Sequence, residues 1–194
     1  LSSYTACAPT TETAQRLARH PFLAELASRM KTRIVTRVEP ALAGDATKAS
    51  SPISGVAVIA NNGGIAQQLE WLLQNGAAEL LVLPAQAAPP QRVLIHWADD
   101  TARRSTLAVA ASLLRHVPAE AVYLGILPGS SEEAQRPIGV RTLLDARSEA
   151  QAVHGLEMRT ELHFGAAAEE LHKQLEEAAD QMLILGIFSL QHLQ

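Results

Sequence analysis

Two adjacent carboxylates, Asp99 and Asp100, follow the apolar run Arg92-Val-Leu-Ile-His-Trp97. An acid at that place has two uses. It can accept hydrogen bonds from a ligand at the C-terminal end of a strand, where open α/β sheets bind ligands. It can also cap the helix that follows and complement its dipole. The cap needs no ligand and is the preferred reading. Asn61-Asn62-Gly63-Gly64 and Gly165 each precede a helical pattern. Either could hold an anion on free backbone N–H groups, but a tight turn needing positive φ explains both.

The remaining polar residues do not assemble into a reaction. Seven histidines are present, at 20, 96, 116, 154, 163, 172 and 192, and none forms an H-x-x-x-H or similar pair. With a single cysteine, Cys7, no cysteine-based zinc site or internal disulfide is available, and no metal site is expected. His96 lies inside an apolar run and reads as a hydrogen-bonded core residue. No Gly-x-Ser-x-Gly elbow, Walker loop or Gly-x-Gly-x-x-Gly run occurs. Glu169, Glu170, Glu176 and Glu177 read as the solvated face of a helix rather than a carboxylate pair. No catalytic residue is assigned, and the chain is expected not to be an enzyme. Trp71 is out of phase with Leu69 and Leu73 and is expected to pack on another part of the chain or on a partner.

Composition fits this picture. The 194 residues are 47% apolar and 19% charged, which suits a packed core. A net charge of −4 gives no footprint for nucleic acid. No apolar run approaches the ~20 residues that span a bilayer, and no signal peptide is visible, so a cytoplasmic setting is expected. The chain begins without Met, and the expectation is that it continues a longer protein, with any attachment to a membrane protein lying outside it.

The elements that would position these residues alternate between strand and helix. Residues 1–13 read as irregular. A helix follows, broken at Pro21, with Phe22, Leu23, Leu26, Ala27 and Met30 along one stripe. Arg33–Val38 reads as a strand, and 41–54 as a linker or surface loop. Val56 to Leu83 reads as a β-α-β unit with its helix over 65–75. Prolines at 89 and 90 mark the joint between a first half, 1–88, and a second, 89–194. The second half predicts strands at 92–97 and 121–127, and a helix from Asp99 to about His116. A further helix over 138–152 carries Val140, Leu143, Leu144 and Val153. Leu156–Phe164 alternates as a strand with one wet face, and 182–185 closes the set after a helix from Ala166. An offset of 102 residues places Gly63 on Gly165, Leu69 on Leu171, Leu81 on Leu183 and Leu83 on Leu185. The fold class expected is α/β: doubly wound parallel sheets with helices on both faces, in two halves related by an internal repeat.

The second half resembles the universal stress protein superfamily. The likeness lies in Val93-Leu-Ile-His-Trp-Ala-Asp-Asp100, in the strand 122–127, in His163-Phe-Gly-Ala-Ala-Ala-Glu-Glu-Leu171 and in Asp180-Gln-Met-Leu-Ile-Leu-Gly186. The resemblance implies adenine-nucleotide binding (ATP or ADP) near Asp99, Asp100, Gly165 and Gly186. The family's Gly-x-x-Gly phosphate loop is missing, however: Gly186-Ile-Phe-Ser189 stands in its place, and Ala98 occupies the family's Asp position. The expectation is therefore a non-enzymatic regulatory or assembly domain without a cofactor, which self-associates or binds a partner protein through its α/β halves. The alternatives are a nucleotide-binding stress protein and a cytosolic regulatory domain of a transporter. An enzyme of the related nucleotide hydrolase-like fold ranks last.

Overall fold

The computed structural model describes residues 3–8, 11–31, 33–38, 56–60, 79–83, 88–97, 100–129 and 132–186. The linker at 41–54, the Asn61–Gly64 turn, the helix expected over 65–75 with Trp71, and Asp99 lie outside these residues.

The described elements run β1 (Ser3–Ala8), α1 (Thr11–Ala18), α2 (Pro21–Arg29), β2 (Arg33–Val38), β3 (Val56–Ala60), β4 (Glu79–Leu83), β5 (Arg92–Trp97), α3 (Asp100–Leu114), β6 (Glu120–Leu127), α4 (Glu132–His154), β7 (Arg159–Phe164), α5 (Ala167–Glu177) and β8 (Gln181–Gly186). The protein is α/β, with one mostly parallel sheet in the order β2-β1-β3-β4-β8-β5-β6-β7. Every neighbouring pair is parallel except β4 with β8, where Leu80 faces Leu185 and Leu81 faces Ile184 in antiparallel register. The sheet is continuous across the joint at residue 88.

The central strands are apolar on both faces because both faces are covered. Val93, Ile95, Trp97, Met182 and Ile184 join a cluster with Ala102, Leu107 and Ala110 of α3 and Leu143, Ala146 and Ala150 of α4. The intervening residues Leu94, Leu183 and Leu185 join a second cluster with Leu171 and Leu175 of α5. Fully burying one such leucine stabilises by roughly 1.5–3 kcal/mol.

Several local expectations change. Residues 3–8 form a strand, not an irregular segment. Ser-Tyr-Thr-Ala-Cys-Ala carries no strong β pattern, but between β2 and β3 it gains two ladders and buries Thr5, Ala6, Cys7 and Ala8. The break at Pro21 is observed, with the proline opening α2, where its missing N–H costs nothing. The helix expected over 138–152 is α4, which starts earlier and runs through Pro137. Its inner face is Gly139, Leu143, Ala146 and Ala150, whereas Val140, Leu144 and Val153 are exposed. It ends at Gly155, whose φ of +62° suits glycine.

On the face of β7 expected to be wet, Glu157 and Arg159 are exposed, whereas Glu161 and His163 are half-buried under ion pairs. Glu161 accepts from Arg92 at 3.0 Å, and His163 lies 3.7 Å from Glu161 and 3.5 Å from Glu170 on α5. Glu170 therefore turns inward, unlike exposed Glu169, Glu176 and Glu177. The 102-residue offset brings β3 onto β7 and β4 onto β8. Yet β3 and β4 are neighbours, whereas β7 and β8 have β6 and β5 between them. Among the described residues, no helix is long and apolar enough to cross a membrane.

Candidate functional site

The strand order reverses at β5. From β5 the chain steps outward to β6 and β7, then returns to place β8 on β5's other side. Ligands bind at such switch points, beyond the carboxyl ends of the strands. A cavity of about 360 Å³ lies there. Its floor is the ends of three strands: His96 and Trp97 of β5, Gly125, Ile126 and Leu127 of β6, and Leu185 of β8. Gly139 and Thr142 of α4 and Leu162 of β7 form one wall; Ala166 to Ala168 and Leu171, at the start of α5, form the other.

Glycine creates part of this space. A Cβ on Gly139 would lie 2.7 Å from a methyl of Leu162 and 2.8 Å from one of Leu127. A Cβ on Gly125 would lie 2.7 Å from a methyl of Leu143. The two glycines let α4 approach the sheet closely.

His96, Tyr123, Thr142 and the indole of Trp97 bring polar groups to the described lining. His96 is 6% exposed, and its Nδ1 lies 2.8 Å from the Leu124 carbonyl oxygen. That oxygen can only accept, so Nδ1 carries the proton and donates. Burial pushes the His96 pKa below 6.5, and the bond to Leu124 offsets part of that shift. The ring is therefore neutral at neutral pH, and Nε2 presents a lone pair. Tyr123 stacks on Trp97 with ring centroids 4.0 Å apart and planes 12° from parallel. Burial first, and the Asp100 carboxylate second, raise its pKa, with Arg103 opposing, so the phenol keeps its proton. Thr142 donates to the Ile138 carbonyl at 3.0 Å. The cavity thus offers one acceptor, one phenol and a helix start. Among the described residues, its lining pairs no nucleophile with a base.

Of the ligand-site residues expected from sequence, Asp100, Gly165 and Gly186 are described, and none of the three lines this cavity. Asp100 opens α3, is largely exposed, and pairs with Arg103 at 3.2 Å. Gly165, with φ +151°, donates its N–H to the Leu127 carbonyl at 2.9 Å and joins β7 to α5. Gly186 ends β8 under α3, where a Cβ would lie 1.8 Å from the Thr106 hydroxyl oxygen and 3.2 Å from the Ala102 Cβ. It is a glycine because the helix rests on it. His96 is the one residue the sequence placed correctly as a bonded core histidine that also reaches the cavity. Tyr123, Gly125 and Gly139 carried no signal in sequence, since an aromatic in a strand and small residues in a helix look like ordinary core.

A wider cleft of about 640 Å³ lies at the other end of the same strands, around Glu120, Arg147, Glu157 and Arg159. Two of its charged residues are paired: Arg159 donates to Glu120 at 3.0 Å. It lies at the amino ends of β6 and β7, away from the switch point. Among the described residues, no group of three or more His, Cys, Asp or Glu is placed to hold a metal ion. No known protein family matches the chain's sequence, and no curated protein matches it.

Proposed function

We propose that the chain is a non-enzymatic regulatory or assembly module of the universal-stress-protein type, and that the cavity beyond β5 and β8 is its sensing site. The observation that carries this reading is the cavity's chemistry at a switch point. Its strongest polar group, His96, is neutral and already bonded to Leu124, with no nucleophile coupled to it. Such a site can bind and report without turning a substrate over. The winding of the second half supports the likeness, because helices from both sides of the sheet converge on the cavity. A strict internal duplication is not part of the reading, since β3 and β4 are adjacent and β7 and β8 are not. Self-association or a partner protein would carry the signal onward.

The second reading, an adenine-nucleotide-binding stress protein, is favoured by the same location. It is weakened by the lining, which includes no Lys or Arg among the described residues to meet a phosphate. Titration with ATP and ADP while following the melting temperature separates the two. A ligand that binds only the native state must raise it. A flat response to millimolar nucleotide is expected; a saturable rise would replace the first reading with the second.

A further inference from the structure

β7 is an edge of the sheet. Among the described residues, β6 is its one ladder partner. Gly165 donates its N–H to the Leu127 carbonyl of β6. Backbone groups alternate in direction along a strand, so the odd-numbered residues of β7 turn theirs to β6 and the even-numbered ones turn theirs outward. Arg159 is exposed, and every residue from Thr160 to Phe164 is half-buried. An edge of this kind is a template for another strand.

Charged side chains usually keep such edges apart. Here their order allows one match with a second copy. About a twofold axis normal to the sheet, two antiparallel copies of β7 keep each side chain on its own sheet face, so the register must centre on a residue. Centred on Thr160, it sets Arg159 against Glu161 of the second copy, twice by symmetry. Carried into the chain leading to β7, it sets Glu157 against His163 and Met158 against Leu162. Centred on Arg159 or Glu161, it sets like charges against each other. Centred on Leu162, it keeps Glu161 against His163 but leaves Arg159 opposite Gly165. Opposite charges directly across a pair stabilise it, and like charges destabilise it. Thr160 also turns its N–H and C=O outward, so the two copies can exchange both hydrogen bonds at the centre.

Both charged groups have capacity for the new partner. The Arg159 side chain is 66% exposed and spends one nitrogen on Glu120. Glu161 accepts from Arg92, and a carboxylate has further lone pairs. Beside this edge, α4 exposes Val140 and Leu144. They lie on the side of the helix away from Glu149, which meets Arg103 of α3. Arg147 and Gln151, on that same side, border the cleft that Arg159 lines. A second copy related through β7 brings its own α4 stripe alongside and takes both apolar surfaces out of water.

We propose that two copies of this chain associate through β7, antiparallel and centred on Thr160, so that the sheet continues across the twofold axis. The inference gives a surface to the self-association proposed above and rests on that part of the reading.

Sedimentation velocity of the full chain over a range of concentrations tests it. The parent is expected to approach twice its 20.8 kDa as concentration rises. Arg159→Glu and Glu161→Arg each set like charges across the pair, and each is expected to stay at 20.8 kDa. Mixed in equal amounts, the two variants are expected to associate, because a chain with two acids then faces a chain with two arginines. Recovery in the mixture also shows that both variants are folded. Leu144→Glu, on a side chain that is 60% exposed and so free of folding constraints, is expected to weaken the dimer at least about tenfold. A parent that stays monomeric overturns the inference. So does a dimer that survives Arg159→Glu or Leu144→Glu, or a mixture that stays monomeric. None of these results touches the rest of the proposed function, which the ATP titration tests and which a partner protein also serves.

Discussion

Replacing Gly186 with alanine tests why a glycine stands at the end of β8. If the residue served a ligand's backbone approach, Gly186→Ala would change binding and leave stability alone. The geometry requires the reverse. The new methyl would sit 1.8 Å from the Thr106 hydroxyl oxygen, 3.1 Å from its Cβ and 3.2 Å from the Ala102 Cβ, where ordinary contact begins at 3.4 Å. Thr106 is fully buried and its hydroxyl donates to the Ala102 carbonyl at 2.8 Å, so it cannot swing away without breaking that bond. Nor is α3 free to lift, because its Ala102, Leu107 and Ala110 are fully buried in the core cluster. Overpacking of this kind costs about 1–3 kcal/mol, and 2 kcal/mol in a chain of this length lowers Tm by about 4–8 °C. The assay is urea unfolding of Gly186→Ala, Thr106→Ala and the double variant. Thr106→Ala alone loses one buried hydrogen bond, about 1 kcal/mol. Combined with Gly186→Ala it also removes the 1.8 Å contact, so the double variant should be more stable than the sum of the singles predicts, by about 1 kcal/mol. Additive effects, or a Gly186→Ala cost below about 0.5 kcal/mol, would refute the packing account.

Three further outcomes follow from the same geometry. His96 is buried neutral with its pKa depressed below 6.5, so the unfolded chain binds the proton more readily. Its stabilisation is present above pH 6.5 and is lost as pH falls toward the folded-state value, with a slope of at most about 1.4 kcal/mol per pH unit. Unfolding free energies measured across that range should fall more steeply for the parent than for His96→Leu. Gly155→Ala should cost about 1 kcal/mol from backbone strain alone, because φ is +62° and nothing lies within 4 Å of the new methyl; no neighbouring substitution should rescue it in urea unfolding. Arg103→Ala and Glu149→Ala, read by a double-mutant cycle, should show coupling near 0.5 kcal/mol, since both side chains keep some solvent contact.

Elements whose apolar pattern is local were legible in sequence. The strands at 33–38, 56–60, 92–97 and 121–127 and the stripe of α2 are readable from the sequence pattern. β1 was not, because its stability comes from two neighbours far away in sequence rather than from Ser-Tyr-Thr-Ala-Cys-Ala itself. The inner face of α4 is not legible because Gly139, Ala146 and Ala150 are small for close packing, while the larger Val140, Leu144 and Val153 face out. Strand order was the least legible feature. β4 and β8 are both continuous apolar runs, and nothing in either names the other as an antiparallel neighbour. The site suffered from the same gap. Without the order, His96 was a core histidine, and Gly165 and Gly186 were motif matches. With it, His96 faces a cavity, and the two glycines carry a turn and a helix contact.

β8 is the last of the eight described strands and sits in the middle of the sheet, between β4 and β5. Until it is synthesised, its two neighbours each lack a ladder partner. Those bare edges are templates for pairing with other nascent chains. Assembly of the sheet therefore waits for residues 181–186 to emerge, and a ribosome stalled before them would hold a chain primed to aggregate.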